Sequence, residues 1–199
     1  YRLSVAWEKI YPKQGEINYQ ELARYKKFCQ KLVANGIKPI VTLYHYAEPI
    51  WFYELGGFEK EENIKHFVDF CTTVYKELHN EVYLWLTFNA PEGIALQGWL
   101  TAGKPPAKND MKLAVQVLYH ILEAHVRVYQ AFKQLPNGQN SRVGILKNIM
   151  QLDPLTFGDP RCHINCHFGR DLADEAIYRF FNTGKFYVNI PKGLNKTKI

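Results

Sequence analysis

Short apolar runs alternate four times along the chain with longer stretches whose apolar residues recur at helical spacing. The first run, Tyr1 to Trp7, is followed by a polar stretch holding Pro12 and Gly15. Leu22, Tyr25, Phe28, Cys29, Leu32 and Val33 then mark a helix, and Asn35-Gly36 supplies its stop. The second run is Ile37 to Tyr44. A loop with Pro49 and Gly56-Gly57 separates it from a helix carrying Ile64, Phe67, Val68, Cys71, Val74, Tyr75 and Leu78. The third run, Val82 to Phe88, leads into a long loop punctuated by Gly93, Gly98, Gly103, Pro105 and Pro106. A helix through Leu113, Val117, Ile121, Ala124, Val128 and Phe132 follows, closed by Pro136-Asn137-Gly138. The fourth run is Val143 to Ile149, and a last helix carries Leu172, Ala176, Ile177, Phe180 and Phe181.

Strands that are apolar on both faces and alternate with helices predict a parallel sheet covered by helices, an α/β fold. Two architectures qualify: an open doubly wound sheet and a (β/α)8 TIM barrel. A doubly wound nucleotide binder shows a glycine-rich turn after its first strand. Here that strand ends in Ala6-Trp7-Glu8-Lys9, with no such turn. The loops after the second and third strands are instead rich in Tyr, His, Trp, Asn and Glu, as suits the carboxyl ends of barrel strands. A whole barrel takes about 250 residues. Four β/α units make about half of one, expected over residues 1–190, with 191–199 a basic tail or a broken connection.

Composition narrows the partners. With 47% hydrophobic, 15% aromatic and 22% charged residues, the chain is neither disordered, collagenous, coiled coil nor a disulfide miniprotein. The net charge of +6 is scattered among acidic residues, which argues against a nucleic-acid partner. No apolar stretch is long enough to span a membrane, so none is expected as a partner. The four cysteines form no framework spacing and are read as reduced thiols of a cytoplasmic protein. Tyr1 stands mid-strand, so an upstream segment is expected. Cys162-His163-x-x-Cys166-His167 pairs ligand types at i,i+4, but the groups do not converge easily on one ion. His120 and His125 read as ordinary helix-surface or packing residues, and Asn195-Lys196-Thr197 as a chance glycosylation pattern.

Chemistry gathers at two strand ends. Tyr44-His45-Tyr46-Ala47-Glu48-Pro49-Ile50-Trp51 combines aromatic faces with polar groups, as a sugar pocket does; a loop with incidental aromatics is the plainer reading. Asn89, at the end of the third strand, reads equally as a substrate ligand or a buried structural amide. Glu92 reads as a surface loop carboxylate or a helix-start residue.

Arg2-Leu3-Ser4-Val5-Ala6-Trp7, Thr42-Leu43-Tyr44-His45-Tyr46, Gly56-Gly57-Phe58 and Trp85-Leu86-Thr87-Phe88-Asn89-Ala90-Pro91 stand in one order and spacing. Together with Asn35-Gly36-Ile37-Lys38-Pro39 and Arg142-Val143-Gly144-Ile145, this set resembles the family 1 glycoside hydrolases, the β-glucosidase family, across its second to fifth barrel strands. The resemblance implies retaining hydrolysis of a β-glucoside or related β-glycoside by two carboxyl groups about 5–5.5 Å apart. It implies that Arg2 supports the nucleophile, that His45 binds sugar hydroxyls, and that Asn89 holds the 2-hydroxyl. Tyr46 stands where the family has Trp and keeps an aromatic face. No metal or cofactor is implied.

The sequence departs from the family where the acid/base Glu belongs: the motif reads Thr-Phe-Asn-Ala-Pro, with Ala90 in its place. Acid–base help is worth about 10²–10⁴ in rate, so hydrolysis is expected to be crippled. A deliberate Glu→Ala replacement and a natural loss both fit. The family's nucleophile segment, Ile/Val-Thr-Glu-Asn-Gly, has no counterpart in the chain. Three readings follow: a hydrolytically silent piece of a β-glycosidase, a carbohydrate- or protein-binding pseudoenzyme, and a half-barrel scaffold. In the last, strand edges left open favour self-association or pairing with the missing half.

Overall fold

In a computed structural model, residues 1–189 are described. The expected basic tail and the Asn195 pattern lie outside them. The four runs form strands β1 (Arg2–Ser4), β2 (Ile40–Tyr44), β3 (Leu84–Asn89) and β4 (Val143–Leu146), in sheet order β1-β2-β3-β4, all parallel. The helices are α1 (Trp7–Ile10), α2 (Tyr19–Ala34), α3 (Ile50–Glu54), α4 (Ile64–Leu78), α5 (Pro91–Ala95), α6 (Met111–Lys133), α7 (Pro160–Arg170) and α8 (Ala176–Thr183). Two compact units result, one of residues 1–91 with 120–146, the other of 92–119 with the described residues from Lys147 on.

In the first unit, α2 starts where Asn18 accepts the Glu21 N–H at 3.1 Å, and Gly36, at φ +72°, takes the left-handed turn after its end. The apolar period that marks α4 reproduces its observed ends, and seven of its residues are buried. The strands are shorter than their apolar runs. Pro39 has no N–H to give a ladder, and β2 begins after it. Trp7 turns off the sheet to open α1, because its indole is buried among Phe52, Phe67 and Phe70, with ring centroids at 4.6, 5.5 and 5.2 Å. The cluster continues through Phe67–Phe88 at 4.6 Å and Tyr44–Phe58 at 5.5 Å. A second cluster joins Tyr75, Trp85 and Phe132, with Tyr75 and Phe132 centroids 4.4 Å apart. At the turn after α6, a Cβ on Gly138 would lie 1.8 Å from the Phe132 carbonyl oxygen, so only glycine fits.

The second unit corrects the expected loop after β3. Pro91 opens α5, and a π-helical turn over Leu96–Leu100 continues it, so Gly93 and Gly98 lie within helical segments. α7 and α8 are likewise joined by a π-helical turn over Asp171–Glu175. A partly buried Lys147–Asp174 ion pair and the Arg179–Asp171 pair at 2.6 Å hold this unit together.

Candidate functional site

The sugar-site candidates of the first unit stand on β1, which Arg2 opens, and at or just after the carboxyl ends of β2 and β3. Arg2 and Ser4 are two residues apart on β1 and so share a face. Arg2 Nη1 donates to Asn89 Oδ1 at 3.2 Å, across 87 residues of sequence. A guanidinium only donates, so this contact fixes the Asn89 amide with its oxygen towards Arg2 and its Nδ2 as donor for another group. Ser4 Oγ lies 2.7 Å from His45 Nδ1, and the His45 and Tyr46 rings are 5.8 Å apart. Arg2 and His45 are exposed, Tyr46 and Asn89 half-buried, and Ala90 fully buried.

Both strand ends carry unusual backbone. Tyr46 at φ +63° and Ala90 at φ +55° occupy the left-handed region, which costs a non-glycine residue about 1–2 kcal/mol. Ala90 is held there by its N–H, which donates to the Leu146 carbonyl at 2.7 Å, just beyond an irregularity in the β3–β4 register. Sterically unfavoured backbone of this kind clusters at functional sites.

Behind the β2 end, the buried Tyr44 hydroxyl donates to Glu48 Oε2 at 3.0 Å. Burial pushes the Glu48 carboxyl up to about 7, against the Tyr44 bond and with help from nearby Glu59. Burial likewise raises the Tyr44 phenol. The sequence reading missed the Ser4 contact and the Glu48 pair. Nothing local signals either: the Ser4 contact comes from the β1–β2 register, and Glu48 is packed under a tyrosine.

The two histidines of α6 do serve packing. His120 Nδ1 lies 2.7 Å from the Phe58 carbonyl oxygen and His125 Nδ1 lies 2.7 Å from Thr87 Oγ1. Burial lowers His125 to about 4, which keeps it neutral.

In the second unit, Glu92 does stand at a helix start, but it is buried rather than on the surface. Its Oε1 accepts the Asn148 N–H at 3.0 Å, and its Oε2 is buried without a hydrogen-bond partner. Burial raises its pKa from the ordinary carboxylate value. Cys162 and Cys166 both lie on α7, yet His163 Nε2 is 2.7 Å from the Phe157 carbonyl oxygen. Among the described residues, no three His, Cys, Asp or Glu side chains gather as a metal site.

What this geometry holds is groups able to hydrogen-bond hydroxyls, an oriented amide and an imidazole at the ends of β3 and β2 with a guanidinium from β1, beside an aromatic ring. At Ala90 it offers only a methyl group, which transfers no proton.

The comparisons with known proteins agree with the fold. The chain is 31% identical over 183 residues to the 6-phospho-beta-glucosidase GmuD of Bacillus subtilis, a match covering 92% of this chain and 37% of that protein. A 6-phospho-beta-galactosidase of Clostridium acetobutylicum is 29% identical over 78% of this chain and 33% of its own length. A beta-glycosidase from Pyrococcus horikoshii superposes with a TM-score of 0.87 at 30% identity, over 96% of this chain and 44% of that one. The chain thus spans between a third and a half of the length of these proteins. Its four parallel strands are part of the TIM barrel of such β-glycosidases. No helix among the described residues is long and apolar enough to cross a membrane. The model of glycosyl hydrolase family 1 matches residues 1–192, and the chain belongs to that family.

Proposed function

We propose that the chain supplies the sugar-recognition half of a β-glycosidase site, for a β-glucoside or related β-glycoside, and is itself hydrolytically silent. The observation that carries this reading is the pairing of Arg2 and Asn89 at 3.2 Å beside a residue, Ala90, that has no proton to give. Asn89 Nδ2 donates to the 2-hydroxyl of the sugar. His45 binds further hydroxyls and Tyr46 covers a face of the ring. Arg2 keeps Asn89 oriented and favours a negative charge above it, where a nucleophile carboxylate belongs in a retaining mechanism. Free thiols at all four cysteines suit a reducing, cytoplasmic setting.

Titrating the chain with an aryl β-glucoside, while watching ligand-observed NMR and release of the aryl group, tests this reading. Expected are saturable binding that weakens by about tenfold or more in Asn89→Ala and His45→Ala, and release no faster than buffer. Absence of binding, or release that depends on Arg2 and Asn89, overturns it.

A further inference from the structure

The segment that leads out of β2 is anchored at both ends. At its start the Tyr44 ring packs against Phe58 and Phe88, each with its centroid 5.5 Å away. At its end the carbonyl of buried Pro49 accepts the N–H groups of Phe52 and Tyr53 at 3.0 and 3.2 Å, which fixes the start of α3. His45, Tyr46 and Ala47 stand between the anchors, His45 and Ala47 exposed. Proline confines the residue before it to extended backbone, so Glu48 has few directions open to it. Its side chain turns back to the strand it has just left, where Oε2 accepts the Tyr44 hydroxyl at 3.0 Å. That bond closes a ring through side chains, and His45 and Tyr46 lie on the backbone it encloses.

The second carboxyl oxygen is packed as well. Gly57, at φ +51°, comes so near that a Cβ on it would lie 3.5 Å from Glu48 Oε1 and 3.7 Å from the Phe52 ring. Glu59, in the same 3-10 turn over Gly57–Glu59, opposes a charge on the carboxyl. An acid set between a strand end and this turn is costly, and burial accordingly raises its pKa to about 7. An aliphatic side chain would pack there without that cost. What the carboxyl adds is a hydrogen-bond acceptor, and the backbone beside it needs restraint. Tyr46, at φ +63°, is in a region that side chains disfavour, and such backbone persists only where its surroundings over-determine it.

We propose that Glu48 is a positioning residue: through its bond to Tyr44 it holds Tyr46 in left-handed backbone, and so sets the His45 and Tyr46 rings, 5.8 Å apart, for the sugar. The inference rests on the sugar-site reading above. It adds that a carboxyl with no place among the sugar contacts decides how two of them are presented.

Three substitutions in the full chain separate positioning from packing. Tyr44→Phe keeps the ring and loses the donor. Glu48→Leu keeps an apolar bulk and loses the acceptor. Glu48→Gln keeps an acceptor oxygen of the same reach. The His45 ring signals in long-range proton–nitrogen spectra at pH 6, assigned by their loss in His45→Gln, report on the segment without sugar. Titration with an aryl β-glucoside reports on the site, and urea midpoints report on stability. Tyr44→Phe and Glu48→Leu should each shift the His45 signals and weaken glucoside binding by about three- to tenfold. The double variant should be no worse than either, as for two halves of one interaction, and Glu48→Gln should keep both signals and binding. Unchanged His45 signals and binding in the two single variants, with only stability lowered, overturn the proposal. So do additive losses in the double variant, or a Glu48→Gln that behaves like Glu48→Leu. If the unsubstituted chain binds no glucoside, the sugar reading falls, and the His45 signals alone then decide whether Glu48 sets the segment.

Discussion

β2 and β3 end alike. Each passes through a non-glycine residue in left-handed backbone, Tyr46 or Ala90, and each places a glutamate two residues later, Glu48 or Glu92. Burial raises the pKa of both glutamates. The ends differ in what supports them. Glu48 is held by the hydroxyl of Tyr44, whose ring packs against Phe58, Phe67 and Phe88 at 5.5, 6.1 and 5.5 Å. Glu92 takes one main-chain N–H and leaves its other oxygen buried and unpartnered, while Ala90 is pinned by its own N–H. The β2 end is therefore braced by side chains of the core and the β3 end by backbone. Each should fail through its own support.

The largest effect follows from removing the ring that braces β2. Tyr44→Ala deletes a fully packed aromatic side chain and leaves a cavity among three phenylalanines, so unfolding in urea should show a loss of about 3–5 kcal/mol. Tyr44→Phe keeps the ring and loses only the hydroxyl, and should retain most of that stability. If the two substitutions cost the same, the hydroxyl rather than the packing is the brace.

A smaller and pH-dependent effect tests the carboxyl itself. The Glu48 value in the folded chain, about 7, lies above its ordinary 4.5. Its contribution to stability is therefore whole below about pH 4.5 and is lost as pH climbs through about 7. Glu48→Gln should be near neutral in acid and become the more stable form at about pH 8, by up to about 3 kcal/mol. Urea midpoints at the two pH values check this, and an equal difference at both would show that the carboxyl does not ionise across this range.

How much of this was legible follows the same division. α4 was read to its ends because Ile64, Phe67, Cys71, Val74 and Leu78 carry a helical period that needs no other part of the chain. The helical segments after β3 were read as loop because Gly93 and Gly98 look like breakers, although a helix opened by Pro91 tolerates them. Burial of Glu92 was invisible, since it depends on a main-chain N–H 56 residues away. Arg2, His45 and Asn89 are candidates by motif alone. That Ser4 meets His45 follows only from the β1–β2 register, which sets Ser4 against Thr42.

The smallest effect isolates the backbone brace at β3. A buried alanine inside a helix, such as Ala124 of α6, loses about 1 kcal/mol of helix propensity on replacement by glycine, together with its methyl contacts. Ala90 is as deeply buried but sits at φ +55°, where glycine is free of strain and alanine is not. Relief of about 1–2 kcal/mol of strain then offsets the lost methyl and the added freedom of the unfolded chain. Ala90→Gly should change stability by less than about 0.5 kcal/mol, whereas Ala124→Gly should cost about 1–2 kcal/mol. Equal losses in paired urea titrations would mean that the Leu146 carbonyl holds Ala90 without strain, and the two strand ends would then differ only in their glutamates.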